Sequence, residues 1–215
     1  MIFPKLSLLI HPEPRDAASN MAADEALTRI VDAPVLRVYR WSVPAVSFGY
    51  FGVYADVVAR WPHREPVRRW TGGGEVPHGD DFTYAIAVPR GDPFAQHSVR
   101  ESYHLIHAAL ARCIPEARLA TADATQNPAC FARPVTSDLL VDGRKIAGAA
   151  QRRGRFGLLH QGSVQGVPLP EDLAERLAAS LASEITEMHY TPAIQDEITR
   201  LVATRYGTEQ WLKRR

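Results

Sequence analysis

The spacing of apolar residues predicts several short strands in the first half of the chain. Runs of strand length occupy residues 6–10, 35–41, 45–51 and 82–88, and prolines, glycines and charged residues separate them. In the last run large residues alternate with small ones, which is typical of a strand packed more tightly on one face. Because only residues 42–44 separate the second run from the third, we expect those two strands to be neighbours.

The first helix is predicted after the first strand. Ser19 or Asn20 can cap its N-terminus, and the helical pattern continues to about Val31. Asp24 and Glu25 are then in the first turn, where the helix dipole stabilises carboxylates. We therefore interpret both acids as helix-stabilising residues rather than catalytic ones.

A second long helix is predicted by a capping box. Ser98 and Glu101 have the required spacing, and the apolar stripe that follows reaches Cys113. His104 and His107 share one face of this helix, but no carboxylate or cysteine cluster accompanies them, so no metal site is predicted. Further helices are expected at residues 54–61, 170–182 and 192–206.

A hairpin is predicted in the middle of the second half of the chain. The dipeptide Asp142-Gly143 is a strong signal for a two-residue turn, and it joins the strand-like segments 137–141 and 144–151. A third strand at residues 156–164 would complete a meander. The run of small residues in the second strand leaves room for a ligand or another backbone to approach.

Length, charge and hydropathy narrow the class of protein. At 215 residues the chain is long enough for one domain, residues 1–215, with a sizeable core. Its net charge of +1 argues against a nucleic-acid-binding protein that relies on a strong positive field. No apolar run approaches the roughly 20 residues that span a bilayer, and residues 6–10 are too short for a signal-peptide core. We expect a cytoplasmic protein that acts on neither nucleic acid nor membrane.

Residues 68–79, with the sequence RRWTGGGEVPHG, are the strongest candidate for a ligand-binding loop. Three consecutive glycines weaken helix and strand, and they are useful where the main chain must bend freely or lie against a ligand. The paired arginines before them carry donors suited to a phosphate or a carboxylate. A mobile surface turn is the alternative interpretation. Neither the Walker pattern nor the dinucleotide-binding glycine pattern is present.

The cysteines and the few lysines are the candidates for covalent chemistry. Cys113 falls on an apolar helix stripe, which predicts an inert core thiol. Cys130 lies in a loop between two prolines, near Arg133, where the pKa of a thiol can be lowered; an unreactive loop thiol is the alternative. Three of the 25 basic residues are lysines, and one of them, Lys145, follows the predicted hairpin turn. This rarity suggests that arginine is unacceptable there.

Three segments, in the same order, resemble the superfamily of biotin/lipoate protein ligases and lipoyl/octanoyl transferases. Residues 68–78 are similar to its Arg-Arg-x-x-Gly-Gly-x-x-Val-x-His loop, residues 138–151 to its strand with a lysine followed by small residues, and residues 20–27 to its N-terminal helix. The resemblance implies an α+β fold with a mixed, mostly antiparallel sheet flanked by helices, similar to the catalytic domain of these ligases.

Within the superfamily, the chain is most similar to the cysteine-dependent octanoyltransferases. Cys130-Phe131-x-x-Pro134, the strand with Lys145, and residues 159–163 (LHQGS) carry this resemblance. In those enzymes the matching cysteine accepts an octanoyl group from acyl carrier protein and passes it to a lysine of a lipoyl domain, such as glycine cleavage protein H. The resemblance implies the same transfer here through an S-acyl enzyme on Cys130, with no cofactor, since exchanging one thioester for another needs no ATP.

The resemblance also assigns roles to other residues. Lys145 is expected to help deprotonate the incoming amine or to hold the carbonyl oxygen, and a surface hairpin lysine is the alternative. The residues expected to bind the substrate are Arg69, Thr71, Gly72, Gly73, Gly74, His78, Gly148, Ala149 and His160.

Two departures from the pattern keep a ligase as an alternative function. The transferases commonly have Gly-Gly-Arg in the loop, whereas Gly74 makes it more similar to lipoate-protein ligase A, which uses ATP and magnesium. His78 is followed by Gly79 rather than by the usual aspartate, although Asp80 and Asp81 follow closely. A second alternative is a non-catalytic lipoate- or acyl-binding protein, against which the intact cysteine and lysine argue.

Overall fold

The computed structural model describes residues 1–121 and 134–214, and within them the chain forms eleven strands and six α-helices. The strands are β1 (Phe3–Ile10), β2 (Val35–Tyr39), β3 (Ala45–Phe48), β4 (Glu65–Arg68), β5 (Glu75–His78), β6 (Phe82–Pro89), β7 (Arg118–Leu119), β8 (Leu139–Val141), β9 (Arg144–Gly154), β10 (Gly157–Val164) and β11 (Ala182–Glu187). The helices are α1 (Ala17–Ile30), α2 (Tyr54–Arg60), α3 (Val99–Ala111), α4 (Leu173–Leu181), α5 (Pro192–Leu201) and α6 (Glu209–Leu212), and a π-helical turn, Val202–Tyr206, continues α5. None of the described helices is long and apolar enough to cross a bilayer.

Eight of the described strands form one mixed sheet in the order β11-β1-β2-β6-β10-β9-β8-β7. Strand β1 pairs in parallel with β11 and β2, and the other neighbouring pairs are antiparallel. The predicted meander is confirmed as β8, β9 and β10. Asp142 and Gly143 both have positive φ, 49° and 74°, as a type I′ hairpin turn requires. The predicted α+β fold with a mostly antiparallel sheet is therefore confirmed.

Strand β6 shows how helices come to cover both faces of this sheet. Tyr84, Ile86 and Val88 lie in a core cluster with residues of α3 and α4, whereas Ala85 and Ala87 lie in the cluster formed with α1 and α5. Successive side chains of a strand point to opposite faces, so the alternation of large and small residues divides the core into these two layers.

Helix α1 begins earlier than its sequence pattern indicates. Asp16, and not Ser19 or Asn20, is the N-cap residue, because its Oδ1 accepts a hydrogen bond from the Ser19 amide at 2.8 Å. Asp24 and Glu25 consequently lie in the middle of the helix and are fully buried. The prediction that they occupy its first turn is wrong.

Both of these buried acids form tertiary ion pairs. Asp24 Oδ1 lies 2.6 Å from the Arg37 guanidinium on β2. Glu25 Oε2 lies 2.6 Å from Arg205 NH1 and accepts a hydrogen bond from the Tyr206 hydroxyl at 2.6 Å. Removing one partner of such a buried pair costs about 3–5 kcal/mol. The two acids therefore fix α1 against the sheet and against the π-helical turn.

The strands β3, β4 and β5 form a separate sheet in the order β4-β3-β5. The prediction that segments 35–41 and 45–51 are neighbouring strands is wrong, because β2 pairs with β1 and β6 whereas β3 pairs with β4 and β5. Strand β11 is a second difference from the prediction. It begins at Ala182, where the sequence pattern predicts the end of the helix at residues 170–182 and no strand after it. The glycine loop connects β4 to β5.

Candidate active site

A cavity of about 280 Å³ lies between the glycine loop, the three-stranded sheet and the β8–β10 meander. Its volume is near the lower end of the range for small-molecule sites. The residues predicted to act on the substrate that line it are Arg69, Gly73, Gly74, His78, Lys145, Gly148 and Ala149. Thr71, Gly72 and His160 do not line it. Cys130, the predicted nucleophile, lies outside the described residues.

The glycine loop is tied closely to the neighbouring strands. A Cβ at Gly49, just after β3, would lie 1.9 Å from the Gly73 carbonyl oxygen, so only glycine permits this approach. Gly73 itself has a φ of +85°, a left-handed conformation that costs other residues roughly 1–2 kcal/mol. Arg69 NH2 donates hydrogen bonds to the carbonyl oxygens of Gly72 and Gly74 at 3.0 and 2.9 Å. These contacts hold the loop against the cavity instead of letting it project as a surface turn.

Gly73→Val is expected to weaken binding of the acyl donor that the family resemblance implies by at least about tenfold while the protein stays folded. A Cβ at Gly73 would lie 3.3 Å from Arg69 NH2 and 3.4 Å from Ala150 Cβ, so the larger side chain enters the cavity. The strain of roughly 1–2 kcal/mol is small against a typical stability of 5–15 kcal/mol. Calorimetric titration with a non-hydrolysable octanoyl thioester analogue measures the change.

The matched control is Gly72→Val. No heavy atom lies within 4 Å of a Cβ built at Gly72, and this residue does not line the cavity. Its affinity for the analogue should equal that of the wild type. Equal affinities of the Gly73 variant and the wild type would show that the loop does not contact the donor.

Thr71 supports the loop from behind the cavity wall. Its hydroxyl donates to Gln161 Oε1 at 2.8 Å, and Gln161 Nε2 donates to Asp24 Oδ2 at 2.7 Å. Gln161 lines the cavity, and Asp24 is the buried partner of Arg37. This series of hydrogen bonds connects the loop to α1 and β2.

Lys145 is held at the cavity wall by a buried carboxylate. Its Nζ lies 2.7 Å from Asp138 Oδ2, and its side chain is only 9% exposed, unlike that of an ordinary surface hairpin lysine. Tyr103 donates to Asp138 Oδ1 and accepts a hydrogen bond from the Ala149 amide at 2.9 Å. A Cβ at Gly148 would lie 2.7 Å from both Cε and Nζ of Lys145. Glycine at position 148 therefore makes room for the lysine.

Tyr103 and Asp138 fix the direction of the Lys145 ammonium. Burial, followed by the neighbouring Asp138 carboxylate, raises the pKa of Tyr103, so its phenol remains a hydrogen-bond donor at neutral pH. Asp138 is fully buried and also accepts a hydrogen bond from the Val135 amide at 2.7 Å. A carboxylate with this many donors is a fixed counter-charge for Lys145.

His78 lies between an aspartate and a serine on the opposite wall. Its Nδ1 is 2.8 Å from Asp81 Oδ2, and its Nε2 is 2.6 Å from Ser47 Oγ. The Trp41 ring stacks on the imidazole with centroids 4.1 Å apart. Asp81 thus pairs with the histidine although two residues separate them, which accounts for the glycine that follows His78 in place of aspartate.

Electrostatics keep this histidine neutral and its aspartate charged. Burial, opposed by Asp81, lowers the pKa of His78 below 6.5. Burial alone would raise the pKa of Asp81, but hydrogen bonds from His78, Ser163 and Thr83 lower it to about 2. At neutral pH the imidazole therefore donates its Nδ1 proton to Asp81.

His160 lies on the far side of β10, although it was predicted to bind the substrate. It is fully buried, and because side chains alternate along a strand it points away from the cavity wall that Gln161 forms. Its Nε2 is 3.2 Å from the Tyr84 hydroxyl and its Nδ1 is 3.0 Å from Gln151 Nε2. Burial, together with the neighbouring His107, lowers its pKa well below 6.5. Burial lowers the pKa of His107 to about 4.

Of the two arginines that precede the loop, only Arg69 lines the cavity. Arg68 is 1% exposed and donates hydrogen bonds to five main-chain carbonyl groups. Its donors reach the carbonyl oxygens of Tyr50, Gly52, Trp211, Leu212 and Arg214 at 2.8 to 3.2 Å. The guanidinium therefore joins the end of β4 to the C-terminal helix, and the expectation that both arginines face an anionic ligand is wrong for Arg68.

Four residues of the site were missed by sequence reasoning: Ser47, Tyr103, Asp138 and Gln161. Asp138 is in the segment that resembles the family, seven residues before Lys145, so a buried acid beside a lysine could have been predicted from it. Tyr103 shows in the sequence only as one of the apolar positions along helix α3. Gln161 is in the segment 159–163 that carries the family resemblance, whereas Ser47 carries no signal of its own in the sequence.

Comparison with known proteins places these features in a family. The model of the lipoyl protein ligase A/B catalytic domain matches residues 16–200. Proteins named octanoyltransferase LipM are similar: that of Oceanobacillus iheyensis is 35% identical over 70% of this chain, and that of Kyrpidia tusciae 36% identical over 73%. The chain spans 60% and 64% of their lengths.

A solved structure shows the same fold. Protein Ta0514 of T. acidophilum, with bound lipoic acid, superposes with a TM-score of 0.78 at 21% identity, over 99% of this chain and 100% of that one. The similarity in fold therefore extends over nearly the whole of both chains.

Proposed function

Because the chain belongs to the family of lipoyl protein ligase A/B catalytic domains, we propose that it transfers an octanoyl group to a lysine of lipoyl domains. The donor is octanoyl-acyl carrier protein, and the group is carried as a thioester on Cys130. The names of the curated relatives support octanoyl transfer rather than ligation. The observation that carries the proposal is the Lys145 ammonium, which Asp138 holds at the wall of a small cavity beside the glycine loop.

The cavity suits a medium-length acyl chain. Met21, Tyr39, Trp41 and Val76 supply apolar surface to its lining. Burial of each methylene of the acyl chain contributes about 0.8 kcal/mol to binding. The carbonyl end of the chain then lies toward the polar wall, where Lys145 is held.

In the first half-reaction the Cys130 thiolate attacks the carbonyl carbon of the donor thioester. The bond between that carbon and the carrier sulfur breaks, and the carrier leaves as a thiolate that takes up a proton from water. The Lys145 ammonium is suited to donate a hydrogen bond to the carbonyl oxygen as negative charge develops on it. One thioester replaces another, so no ATP is consumed.

In the second half-reaction the amine of a lipoyl-domain lysine attacks the S-octanoyl carbon. An amide forms, the carbon–sulfur bond breaks, and the amine loses a proton that the departing Cys130 thiolate can accept. Lys145 again holds the carbonyl oxygen. Glycine cleavage protein H is an example of the expected acceptor, and the cytoplasm is the expected compartment.

One experiment distinguishes this function from its alternatives. The protein is mixed with a lipoyl domain and either octanoyl-acyl carrier protein or octanoate with ATP and Mg²⁺, and the lipoyl domain is weighed by mass spectrometry. An octanoyl mass gained only with the carrier protein is the expected result. Modification only with octanoate and ATP would establish a lipoate-type ligase, and ligand binding without modification in either mixture would establish a non-catalytic binding protein.

A further inference from the structure

We propose that Ser47, His78 and Asp81 form a second acyl-transfer centre in the same cavity, which hydrolyses activated medium-chain acyl esters and thioesters without using Cys130. The three residues have the connectivity of a serine hydrolase triad, with an aspartate on one imidazole nitrogen and a serine hydroxyl on the other. The inference goes beyond the proposed transfer to a lipoyl domain and requires no lipoyl domain.

Distances between the three side chains carry the inference. Ser47 Oγ is 2.6 Å from His78 Nε2, and His78 Nδ1 is 2.8 Å from Asp81 Oδ2. Both are within the reach required of a nucleophile, its base and the group that orients the base. Ser47 and His78 line the cavity, so an acyl group bound there reaches both.

The surroundings of Asp81 fix the position of the imidazole proton. Besides His78, the Thr83 and Ser163 hydroxyls each donate to Asp81 Oδ2 at 2.7 Å, and the Gly79 amide donates to Oδ1 at 2.9 Å. The carboxylate can accept but not donate, so His78 carries its proton on Nδ1. Nε2 is then an acceptor, and Ser47 donates its hydroxyl proton to it.

Two neighbours complete the arrangement. The Trp41 ring stacks on the imidazole at an interplanar angle of 18°, which restricts its rotation. Arg69 NH1 donates a hydrogen bond to Ser47 Oγ at 2.8 Å and lines the cavity. A guanidinium beside the nucleophile is suited to stabilise the oxyanion that forms when Ser47 attacks a carbonyl carbon.

The reaction proceeds in two balanced steps. Ser47 Oγ bonds to the acyl carbon and passes its proton to His78 Nε2; the carbon–oxygen or carbon–sulfur bond to the leaving group breaks, and His78 protonates that group. Water then attacks the ester on Ser47 with His78 as base. The carbon–oxygen bond to the serine breaks, the serine regains its proton, and a free carboxylic acid is released.

The test uses the full-length Cys130→Ala protein, so that thioester chemistry on Cys130 does not contribute. Release of nitrophenol from p-nitrophenyl octanoate and of thiol from octanoyl coenzyme A is compared with buffer. We expect hydrolysis above the buffer rate that falls at least about 100-fold when Ser47→Ala is added. A fluorophosphonate should label the Ser47 peptide, as located by mass spectrometry, and His78→Asn should prevent labelling.

The matched control is Ser180→Ala in the same background. Ser180 is on α4, and its hydroxyl donates to the Ala109 carbonyl oxygen outside the cavity. This variant should hydrolyse at the background rate of Cys130→Ala. If the role of Ser47 were purely structural, Ser47→Ala would change the urea midpoint of unfolding, and the fluorophosphonate would not label Ser47.

Absence of both hydrolysis and Ser47 labelling in the folded Cys130→Ala protein would overturn the inference, as would unchanged hydrolysis in Ser47→Ala. If Ser47→Ala does not fold, labelling of Cys130→Ala decides by itself. The proposed octanoyl transfer is tested separately, by measuring the mass of the lipoyl domain after incubation with the wild-type protein.

Discussion

Lys145→Arg is expected to lower the rate of octanoyl transfer by about 10²–10⁴-fold, the range found when a positioned proton-transfer or oxyanion-stabilising group is lost. The Nζ of Lys145 lies 2.7 Å from Asp138, and the end of its side chain passes so close to position 148 that only glycine fits there. A longer, forked guanidinium cannot occupy that position, and it cannot exchange a proton. The measurement is kcat with saturating octanoyl carrier protein and lipoyl domain at neutral pH.

The matched control for this variant is Lys5→Arg. Lys5 is an exposed residue on β1 that pairs at 3.1 Å with Glu184 of the edge strand β11, away from the cavity. It should retain the wild-type rate, and both variants should unfold cooperatively in urea. Wild-type turnover by the Lys145 variant would mean that Lys145 is only a positive charge or a surface residue, and a specific need for its amine would be abandoned.

Cys130→Ser is expected to stop transfer altogether. A covalent transferase must carry the acyl group on sulfur between its two half-reactions, and a hydroxyl has far too high a pKa to supply a nucleophilic anion at neutral pH. Wild-type protein mixed with octanoyl carrier protein alone should gain one octanoyl mass on the peptide with Cys130. Neutral hydroxylamine should remove it, since this reagent cleaves thioesters much faster than oxygen esters.

The other cysteine provides the control. Cys113 is buried in the core beyond the end of α3, where its Sγ lies 3.3 Å from the Ala109 carbonyl oxygen and burial raises its pKa. The prediction of a core thiol is confirmed. Cys113→Ser should lower the free energy of unfolding by about 1–3 kcal/mol and leave the transfer rate nearly unchanged. Loss of transfer in Cys113→Ser with normal transfer in Cys130→Ser would reverse the assignment.

Signals that depend on a few contiguous residues predicted local structure well. The capping box of Ser98 and Glu101 is present with both of its hydrogen bonds. The turn at Asp142 and Gly143 is where the sequence indicates. In each case, the residues that make the contact are three or fewer positions apart, so their energies do not depend on the rest of the fold.

The sequence did not predict which of several suitable residues caps a helix or which strands pair with each other. Asp16, Ser19 and Asn20 are all competent caps for α1, and the structure uses the first. The sheet to which β3 belongs depends on β4 and β5, whose residues are about 20 and 30 positions further along. Alternation within a strand shows which side chains share a face, but not which strand lies beside it.

The family motifs predicted the residues that line the cavity more readily than the residues that position them. Arg69, Gly73 and Lys145 belong to short motifs and lie on the cavity wall. Asp138 belongs to the same segment as Lys145, but other positioning residues come from elsewhere: Tyr103 lies 35 residues before Asp138, and Ser47 lies 31 residues before His78. No spacing rule relates residues so far apart in a chain.

The hydrogen bonds of Arg68 have a consequence for biosynthesis. This arginine immediately precedes the glycine-loop residues, yet three of its five carbonyl partners lie 143 to 146 residues later. At a synthesis rate of about 5–20 residues per second, roughly 7–30 s pass between the addition of Arg68 and that of its last partner. During that interval the Arg68 guanidinium, which is buried in the folded protein, is still exposed to water in the nascent chain. The hydrogen bonds that bury Arg68 at the end of β4 can therefore form only after the ribosome has made the segment around Trp211.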